Sequence, residues 1–147
     1  MQKQIADRII FLCDLLPGKF RQIPAENFQT RPQPDKWSQQ EILGHLIDSA
    51  GNNHQRFVRS QIEDTPTIFY HQDQWVNIQA YQQENKDILI ALWESYNRHL
   101  AHVISQVTSE NLEKQCLGRD GATVTLAFLI EDYLQHLEHH LHQIIDY

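Results

Sequence analysis

The C-terminal segment of the chain repeats apolar residues with the spacing of a helix that packs in a bundle. These residues step by four and three positions: Leu126, Ile130, Tyr133, Leu137, His140 and Ile144. Such steps keep side chains on one face of a helix, whereas a half-buried strand would need alternation by two. Thr125 precedes the run and is a suitable N-cap. The pattern therefore predicts a helix that begins near 126 and is buried along one stripe.

Two other segments show helical spacing with an irregularity. The first runs from Gln2 to about Leu16; a proline–glycine pair then weakens the pattern, although the spacing allows the helix to continue to Ile23. The other begins near Asp73, and we expect an interruption between residues 80 and 85, where the sequence is polar. Beyond it, a long helix should bury a stripe made of Ile88, Leu92, Tyr96, His99, Val103 and Val107.

The segment between these two has the clearest helix start in the chain. Ser38 and Glu41 form an S-x-x-E capping box, and the preceding Trp37 can pack back onto the first turn. This helix should reach about Gln61. Its expected buried stripe consists of Ile42, Leu46, Ser49, Asn53 and Phe57.

The connections hold most of the prolines and glycines. We expect irregular chain at 24–37, 64–72 and 109–123. The runs TIFY and ATVTL come nearest to strands, and both are too short for a useful one. The sequence predicts one domain spanning 1–147, with an all-α fold: an antiparallel four-helix bundle with long connections.

Charge and composition narrow the function classes. The chain of 147 residues has a formal net charge of -7, and its 12 basic residues are scattered, so a nucleic-acid footprint is absent. We find no apolar run long enough for a membrane span and no signal-peptide pattern. Cys13 and Cys116 give no disulfide framework, which favours a reducing cytoplasm, and Cys13 falls in an apolar stretch typical of a buried structural thiol.

Three of the nine histidines form the most suggestive pattern. His136 and His140 lie four residues apart, so their rings share one helix face. His45 lies between buried-stripe positions of the second long helix. Two imidazoles at this spacing can bind one metal ion, and a third from a facing helix would complete a three-nitrogen site with an open position.

Other interpretations of the histidines remain open. The three could be hydrogen-bonded core residues, which the spacing alone makes about equally plausible. His139 and His142 offer an alternative pair, although they lie on the other side of the stripe. His99 could lie in the core or face the site. We expect the remaining ones, His54, His71 and His102, at the surface or in loops.

Several residues near the histidines could support a site. A ligating imidazole usually donates its second N–H to an acceptor, and side chains lean toward the N-terminus, so Asp132 and Glu41, each one turn earlier, are candidate partners. Asp132 could instead be solvated, and Glu41 is already used by the capping box. Asp48 could reach the mouth of the site as a catalytic group, or serve as a surface charge.

A second set of residues could contact a substrate. Asn52 and Arg56 follow His45 by seven and eleven positions and would present an amide and a cation to an anionic molecule. They could equally be the polar flank of a bundle helix. Trp75, with Tyr70, could cover the pocket, although an aromatic at a helix start is more often part of the core.

Three sequence runs resemble one known family. WSQQEILGHLIDSAGNNHQRF is similar to the second-helix signature of the DinB/YfiT superfamily, with its tryptophan, capping serine and HLxDS run. YHQDQW resembles the aromatic–acid–tryptophan stretch that follows it, and TLAFLIEDYLQHLEHHLHQI resembles the last helix with its HxxxHxxQI ending. The runs occur in the family's order and span most of the chain.

The resemblance implies an antiparallel four-helix bundle that carries one divalent ion, nickel or zinc, on three histidines. These correspond to His45, His136 and His140. It also implies either a metal-dependent hydrolase or a transferase or isomerase that uses a low-molecular-weight thiol such as bacillithiol or mycothiol. Many members are homodimers.

Two hypotheses for the function follow. In the first, the chain is an enzyme acting on a small molecule, and a metal-bound water or thiolate, with its pKa lowered to about 7 in the case of water, is the nucleophile. In the second, it is a non-catalytic module that binds a metal or a small molecule. A closed structural site would need a fourth protein ligand, for which Asp48 and His99 are the candidates.

Overall fold

Helical elements dominate the chain, as the apolar spacing predicts. The computed structural model describes residues 1–118 and 120–147. The elements follow in this order: α1 (Gln2–Gln22), α2 (Ala25–Gln29), α3 (Gln39–Ile62), α4 (Gln72–Gln79), α5 (Lys86–Gln106), β1 (Gln115–Leu117), β2 (Thr123–Thr125) and α6 (Leu126–Ile144). Short 3₁₀ turns at Tyr81–Gln83 and Asn111–Glu113 precede α5 and β1. The predicted interruption before α5 is therefore confirmed.

The four long helices form a ring in which α1 and α3 each contact both α5 and α6. Helices α1 and α5 run antiparallel, because Gln2 at the start of α1 donates a hydrogen bond to Val107 O at the end of α5. Helices α3 and α6 are also antiparallel, since Gln39 at the start of α3 donates to Ile144 O at the end of α6. The predicted four-helix bundle thus contains two antiparallel pairs.

Helices α3 and α5 instead run parallel. Gln40 at the start of α3 donates to Glu84 O just before α5, and at the opposite ends Asn111 donates to the Gln61 side chain. Parallel neighbours cannot be joined by a short turn, so residues 63–85 return along the bundle and contain α4. This helix order requires the long connection that the sequence predicts.

Both predicted N-caps are present. The Ser38 hydroxyl accepts from Glu41 N at 3.1 Å, and Glu41 Oε2 accepts from Ser38 N at 2.9 Å, which completes the capping box. Thr125 Oγ1 accepts from Phe128 N at 3.2 Å at the start of α6. These bonds fix the first turns of the two helices that carry the histidines.

Helix α1 continues through Pro17 and ends at Gln22, so the longer of the two predicted extents is the observed one. Proline lacks the N–H that would bond the carbonyl of residue 13. Arg98 from α5 supplies the missing donor, with its Nη2 3.2 Å from Cys13 O. The cost of proline in a helix interior is therefore reduced by a side chain from the facing helix.

The stripe predicted for α5 is wrong by one position. Ile88 and Leu92 are 58% and 45% exposed. The residues buried along α5 are Leu89, Ile90, Trp93, Asn97, Leu100, Ala101 and Ile104. Both phases place apolar residues at helical spacing, and packing against α1 and α3 selects the one that contains the large Trp93.

Two connections contain structure that the sequence did not predict. Residues 24–37 include the short helix α2, which buries Phe28. In the connection 109–123 and just beyond it, β1 pairs antiparallel with β2, and Leu117 N donates to Pro66 O. These strands depend on contacts between distant segments, because three residues carry little pattern of their own.

Two further properties concern the cysteines and the membrane. Cys13 and Cys116 are buried thiols, as expected for Cys13, and burial raises the pKa of the Cys13 thiol to about 12. Within the described ranges, none of the helices has both the length and the apolar character needed to cross a bilayer.

Candidate metal centre

Helices α3 and α6 bring three distant histidines together at one end of the bundle. His45 lies in the second turn of α3, and the antiparallel packing places it against the last turns of α6, where His136 and His140 lie. His45 is 0% exposed, while the two rings on α6 are partly buried. The i, i+4 spacing puts both α6 rings on the face that meets α3.

The three rings converge on a small volume. His45 Nε2 lies 3.1 Å from His136 Nε2, and one nitrogen from each of the three rings falls within 4.8 Å of the others. Ring centroids are separated by 5.1 Å, 4.8 Å and 4.6 Å for the three pairs. Across residues 1–118 and 120–147, this is the one group of three or more histidine, cysteine or acidic side chains with such spacing.

Neighbouring side chains orient two of the rings. His140 Nδ1 donates to Gln143 Oε1 at 2.8 Å, which leaves Nε2 of that ring for the cluster. Ser49 Oγ lies 3.5 Å from His136 Nδ1, a marginal hydrogen-bond distance. His45 Nδ1 is buried without a hydrogen-bond partner among the described residues, and the Trp37 ring covers this imidazole at a centroid distance of 4.9 Å.

Burial keeps the imidazoles neutral. Loss of solvent, followed by the charges of the other two rings, lowers the pKa of His45 to about 3. The same cause, with contributions from His140, His139 and Arg56, lowers the pKa of His136 to about 4. Burial also lowers the pKa of His140. At neutral pH each ring therefore keeps a nitrogen lone pair, as a metal ligand requires.

The acidic partners expected for these rings lie elsewhere. Glu41 accepts from Arg31 and from Ser38 N, so its carboxylate does not hold His45. Asp132 is exposed on the wall of a cavity beside His136. Gln143, three residues after His140, was not among the expected partners, which lie one turn before each histidine. The HxxxHxxQ run contains this glutamine and was the available signal.

Asp48 is not at the mouth of the site. It is 4% exposed, and its Oδ1 accepts from Tyr81 Oη at 2.6 Å and from Gln79 Nε2 at 2.7 Å. Burial raises the pKa of this carboxyl group. Both expected positions of Asp48, the mouth of the site and the surface, are therefore wrong. Its side chain bonds the segment between α3 and α5, and it does not belong to the histidine cluster.

The other histidines lie apart from the cluster. His99 is exposed on α5, with its ring 5.1 Å from that of His54. His54 is partly buried, and its Nδ1 lies 3.2 Å from Tyr96 Oη, so the expectation of a surface position was only partly right. His71, His102, His139 and His142 are exposed.

Two cavities flank the cluster. One, of about 270 Å³, lies beside His136. Its walls are Ser49, Asn53, Arg56, Phe69, Tyr70, Gln72, Asp132 and Tyr133. The other, of about 440 Å³, lies beside His140 and is walled partly by Trp37 and Ile42. Gln72 lines both cavities. Because one cavity adjoins His136 and the other adjoins His140, the cluster can be approached from two sides.

One of the three residues expected to contact a substrate lines the cavity beside His136, and the other two do not. Arg56 lines the cavity beside His136. Asn52 is 6% exposed, and its side chain donates to Asp48 O. The next residue, Asn53, is rotated by about 100° around the helix axis and lines the cavity. Trp75 is 42% exposed and its ring packs 5.2 Å from that of Tyr70, which lines the cavity itself.

Known proteins with similar sequences have names that refer to metal dependence. A protein of Halalkalibacterium halodurans, provisionally named a metal-dependent hydrolase, is 23% identical over 111 residues, which are 75% of this chain and 64% of that protein. A Bacillus cereus protein with the same kind of name is 27% identical over 105 residues, 71% of this chain and 60% of the relative. The chain thus spans less than two thirds of the length of these curated relatives.

Solved structures and a family model show the fold and the family. YfiT from Bacillus subtilis, described as a probable metal-dependent hydrolase with an unusual four-helix bundle topology, has a TM-score of 0.80 and 22% identity, covering 95% of this chain and 83% of YfiT. The mycothiol-dependent maleylpyruvate isomerase has a TM-score of 0.74 and 12% identity, covering 95% of this chain and 58% of the isomerase. At these identities the structural likeness shows the fold alone. Because residues 14–144 match the model of the DinB superfamily, the chain belongs to that family.

Proposed function

We propose that this chain is a divalent-metal-dependent enzyme for a small molecule, with the ion held by His45, His136 and His140. The observation that carries the proposal is the convergence of three neutral imidazoles, from two helices, to within 4.8 Å. The metal-dependent-hydrolase names of the relatives agree with it.

The donor atoms fit a shared ion in type, spacing and charge. Two nitrogens, each about 2.0–2.1 Å from an ion such as zinc and separated by an angle of about 90–110°, lie roughly 2.9–3.4 Å apart. The 3.1 Å between His45 Nε2 and His136 Nε2 falls in this range. An imidazole–imidazole hydrogen bond has the same length, so the test must measure metal directly. Imidazole ligands suit both nickel and zinc, the ions that we propose.

The residues around the cluster suit an open site. A bound divalent ion would supply Lewis acidity and lower the pKa of a water or a thiol in its free position. Gln143 orients His140, Trp37 covers the His45 ring, and the cavities beside His136 and His140 leave room for reactants. We propose hydrolysis, or S-transfer with a low-molecular-weight thiol as cosubstrate, as the two reaction classes.

A non-catalytic metal site is the competing function. Structural zinc sites are normally closed by four protein ligands. The cluster offers three histidines within the described part of the chain, and cavities adjoin two of them. The open position favours catalysis over a purely structural role.

Metal analysis of purified variants tests the ligand assignment. We expect one nickel or zinc ion per chain in the wild type, and little in His45→Ala or His140→Ala. His142→Ala is the matched control, because it removes an exposed imidazole from the same helix and should leave the metal content unchanged. Wild-type stoichiometry in the two ligand variants would refute the assignment.

Substrate panels then separate the reaction classes. Simple esters and amides test hydrolysis, and thiols combined with electrophiles test S-transfer. Activity that is lost in His140→Ala and kept in His142→Ala would support an enzyme. Inactivity of the metal-loaded protein on both panels would favour the binding module.

A further inference from the structure

We propose that the cavity beside His136 is a carboxylate-binding subsite, in which Arg56 receives an anionic group of the substrate. The inference rests on the proposed metal-dependent function and adds the substrate class: a small carboxylic acid. It also assigns Asn53 and Ile68 the role of positioning the arginine.

Neutral acceptors hold the guanidinium of Arg56 in a fixed plane. Its Nε and Nη2 donate to Ile68 O at 3.1 Å and 2.9 Å, and its Nη1 donates to Asn53 Oδ1 at 3.3 Å. A guanidinium carries five N–H groups, so these contacts leave two, one on each terminal nitrogen. A guanidinium can receive the two oxygens of a carboxylate through its two terminal nitrogens.

Arg56 lacks the acidic partner that four other arginines have. Arg8, Arg31, Arg59 and Arg98 each form an ion pair with an acidic side chain. None of the ion pairs in the described part of the chain includes Arg56. A partly buried cation without a counter-charge is costly, so an anion from outside the chain would stabilise it.

The surroundings of Arg56 add to this preference. Arg56 and His136 line the same cavity, so an anion held by the guanidinium would lie beside the histidine cluster. Asp132 lines the same cavity and offsets part of the charge from its exposed position. With a divalent ion on the histidines, the cavity would still carry a net positive charge, and an anion would be drawn to it.

The size and walls of the cavity limit what the anion is attached to. About 270 Å³ is slightly below the usual range for drug-sized ligands, roughly 300–1,000 Å³. Phe69, Tyr70 and Tyr133 contribute aromatic walls. A short apolar stem with a carboxylate at one end and the reacting group at the other suits this space.

Matched acid and amide probes test the subsite without knowledge of the substrate. Mercaptoacetate, 3-mercaptopropionate and 4-mercaptobutyrate carry a thiol for the zinc ion and a carboxylate at increasing reach. Each is compared with its neutral amide by isothermal titration calorimetry on the zinc-loaded protein. Arg59→Gln is the matched control for Arg56→Gln, because it removes the same charge from α3 at a residue that is already paired with Glu63.

We expect at least one acid to bind about tenfold or more tightly than its amide in the wild type and in Arg59→Gln. The preference should nearly vanish in Arg56→Gln. Arg56→Lys keeps the charge without the two-pronged donor and should retain only part of it; this variant also serves if Arg56→Gln does not fold. Equal binding of acid and amide at every length, or a preference that survives in Arg56→Gln, would overturn the subsite.

Failure of the metal site would give a different result. If wild-type protein takes up no zinc, the proposed function fails, and propionate and propionamide titrated into the metal-free protein then test Arg56 alone. Tighter binding of propionate that depends on Arg56 would support the subsite, and equal binding would overturn it. Normal zinc uptake without any acid preference would overturn the subsite and leave the metal proposal standing.

Discussion

Mild acid should destabilise the metal-free protein, and His45 should account for much of the effect. This imidazole is 0% exposed, and burial together with the neighbouring rings lowers its pKa to about 3. In the unfolded chain the same group has an ordinary pKa of about 6.5. Between these two values the unfolded state binds a proton that the folded state does not, so stability falls as the pH falls.

The magnitude follows from the two pKa values. At about pH 5 the unfolded chain holds the His45 proton almost completely, whereas the folded protein keeps the ring neutral. The free energy of unfolding should therefore be lower at pH 5 than at pH 7.5 by about 2 kcal/mol for this one group. His136, whose pKa is lowered to about 4, should act in the same direction.

Urea denaturation followed by circular dichroism can measure this loss. Metal-free wild type and His45→Leu are compared at pH 7.5, 6 and 5 in the presence of a chelator. The variant should have a different stability at every pH, but its decline between pH 7.5 and 5 should be smaller than that of the wild type by about 2 kcal/mol. Identical declines would refute the argument that a buried neutral His45 determines the acid sensitivity.

Three substitutions test other contacts. Gly44→Ala should lower the free energy of unfolding in urea by about 1–3 kcal/mol, because an added Cβ would lie 2.2 Å from the Tyr81 ring; unchanged stability would contradict this packing. Gln143→Ala should weaken zinc affinity about 10–100-fold in a chelator competition, since it frees the His140 ring, and an unaltered affinity would exclude that role. Glu41→Ala should destabilise the fold by about 1–2 kcal/mol in the same urea assay through loss of the capping box, and unaltered stability would refute this contribution.

The fold was predictable where the signal is local. The capping box of Ser38 and Glu41 and the N-cap Thr125 act through residues three positions apart, and both are present. The buried face of α5 was not predictable, because Ile88 and Leu89 begin two competing apolar stripes. Burial of the polar Asn97 in α5 could not be predicted from the sequence, because it depends on a contact with another helix: Asn97 Oδ1 accepts from Tyr133 Oη on α6 at 2.6 Å.

The candidate site shows the same division. His136 and His140 share a helix face, so their proximity follows from spacing alone. The proximity of His45 to these two rings depends on the packing of α3 against α6. The family resemblance implied this packing, and the helix pattern could not predict it. Asn52 was expected to contact a substrate, but Asn53, one helix step away, lines the cavity. Both amides donate to a carbonyl one turn earlier in α3, so the helix pattern does not distinguish them.

Because α3 and α5 run parallel, the long connection between them also forms part of the proposed binding cavity. A 24-residue helix such as α3 is about 36 Å long, and the chain must cover that distance again before α5 can begin. On its way it contributes Phe69, Tyr70 and Gln72 to the cavity walls. Shortening this return path would strain the bundle and reshape the binding space together, so new ligand preferences are easier to reach here by exchanging side chains than by deleting residues.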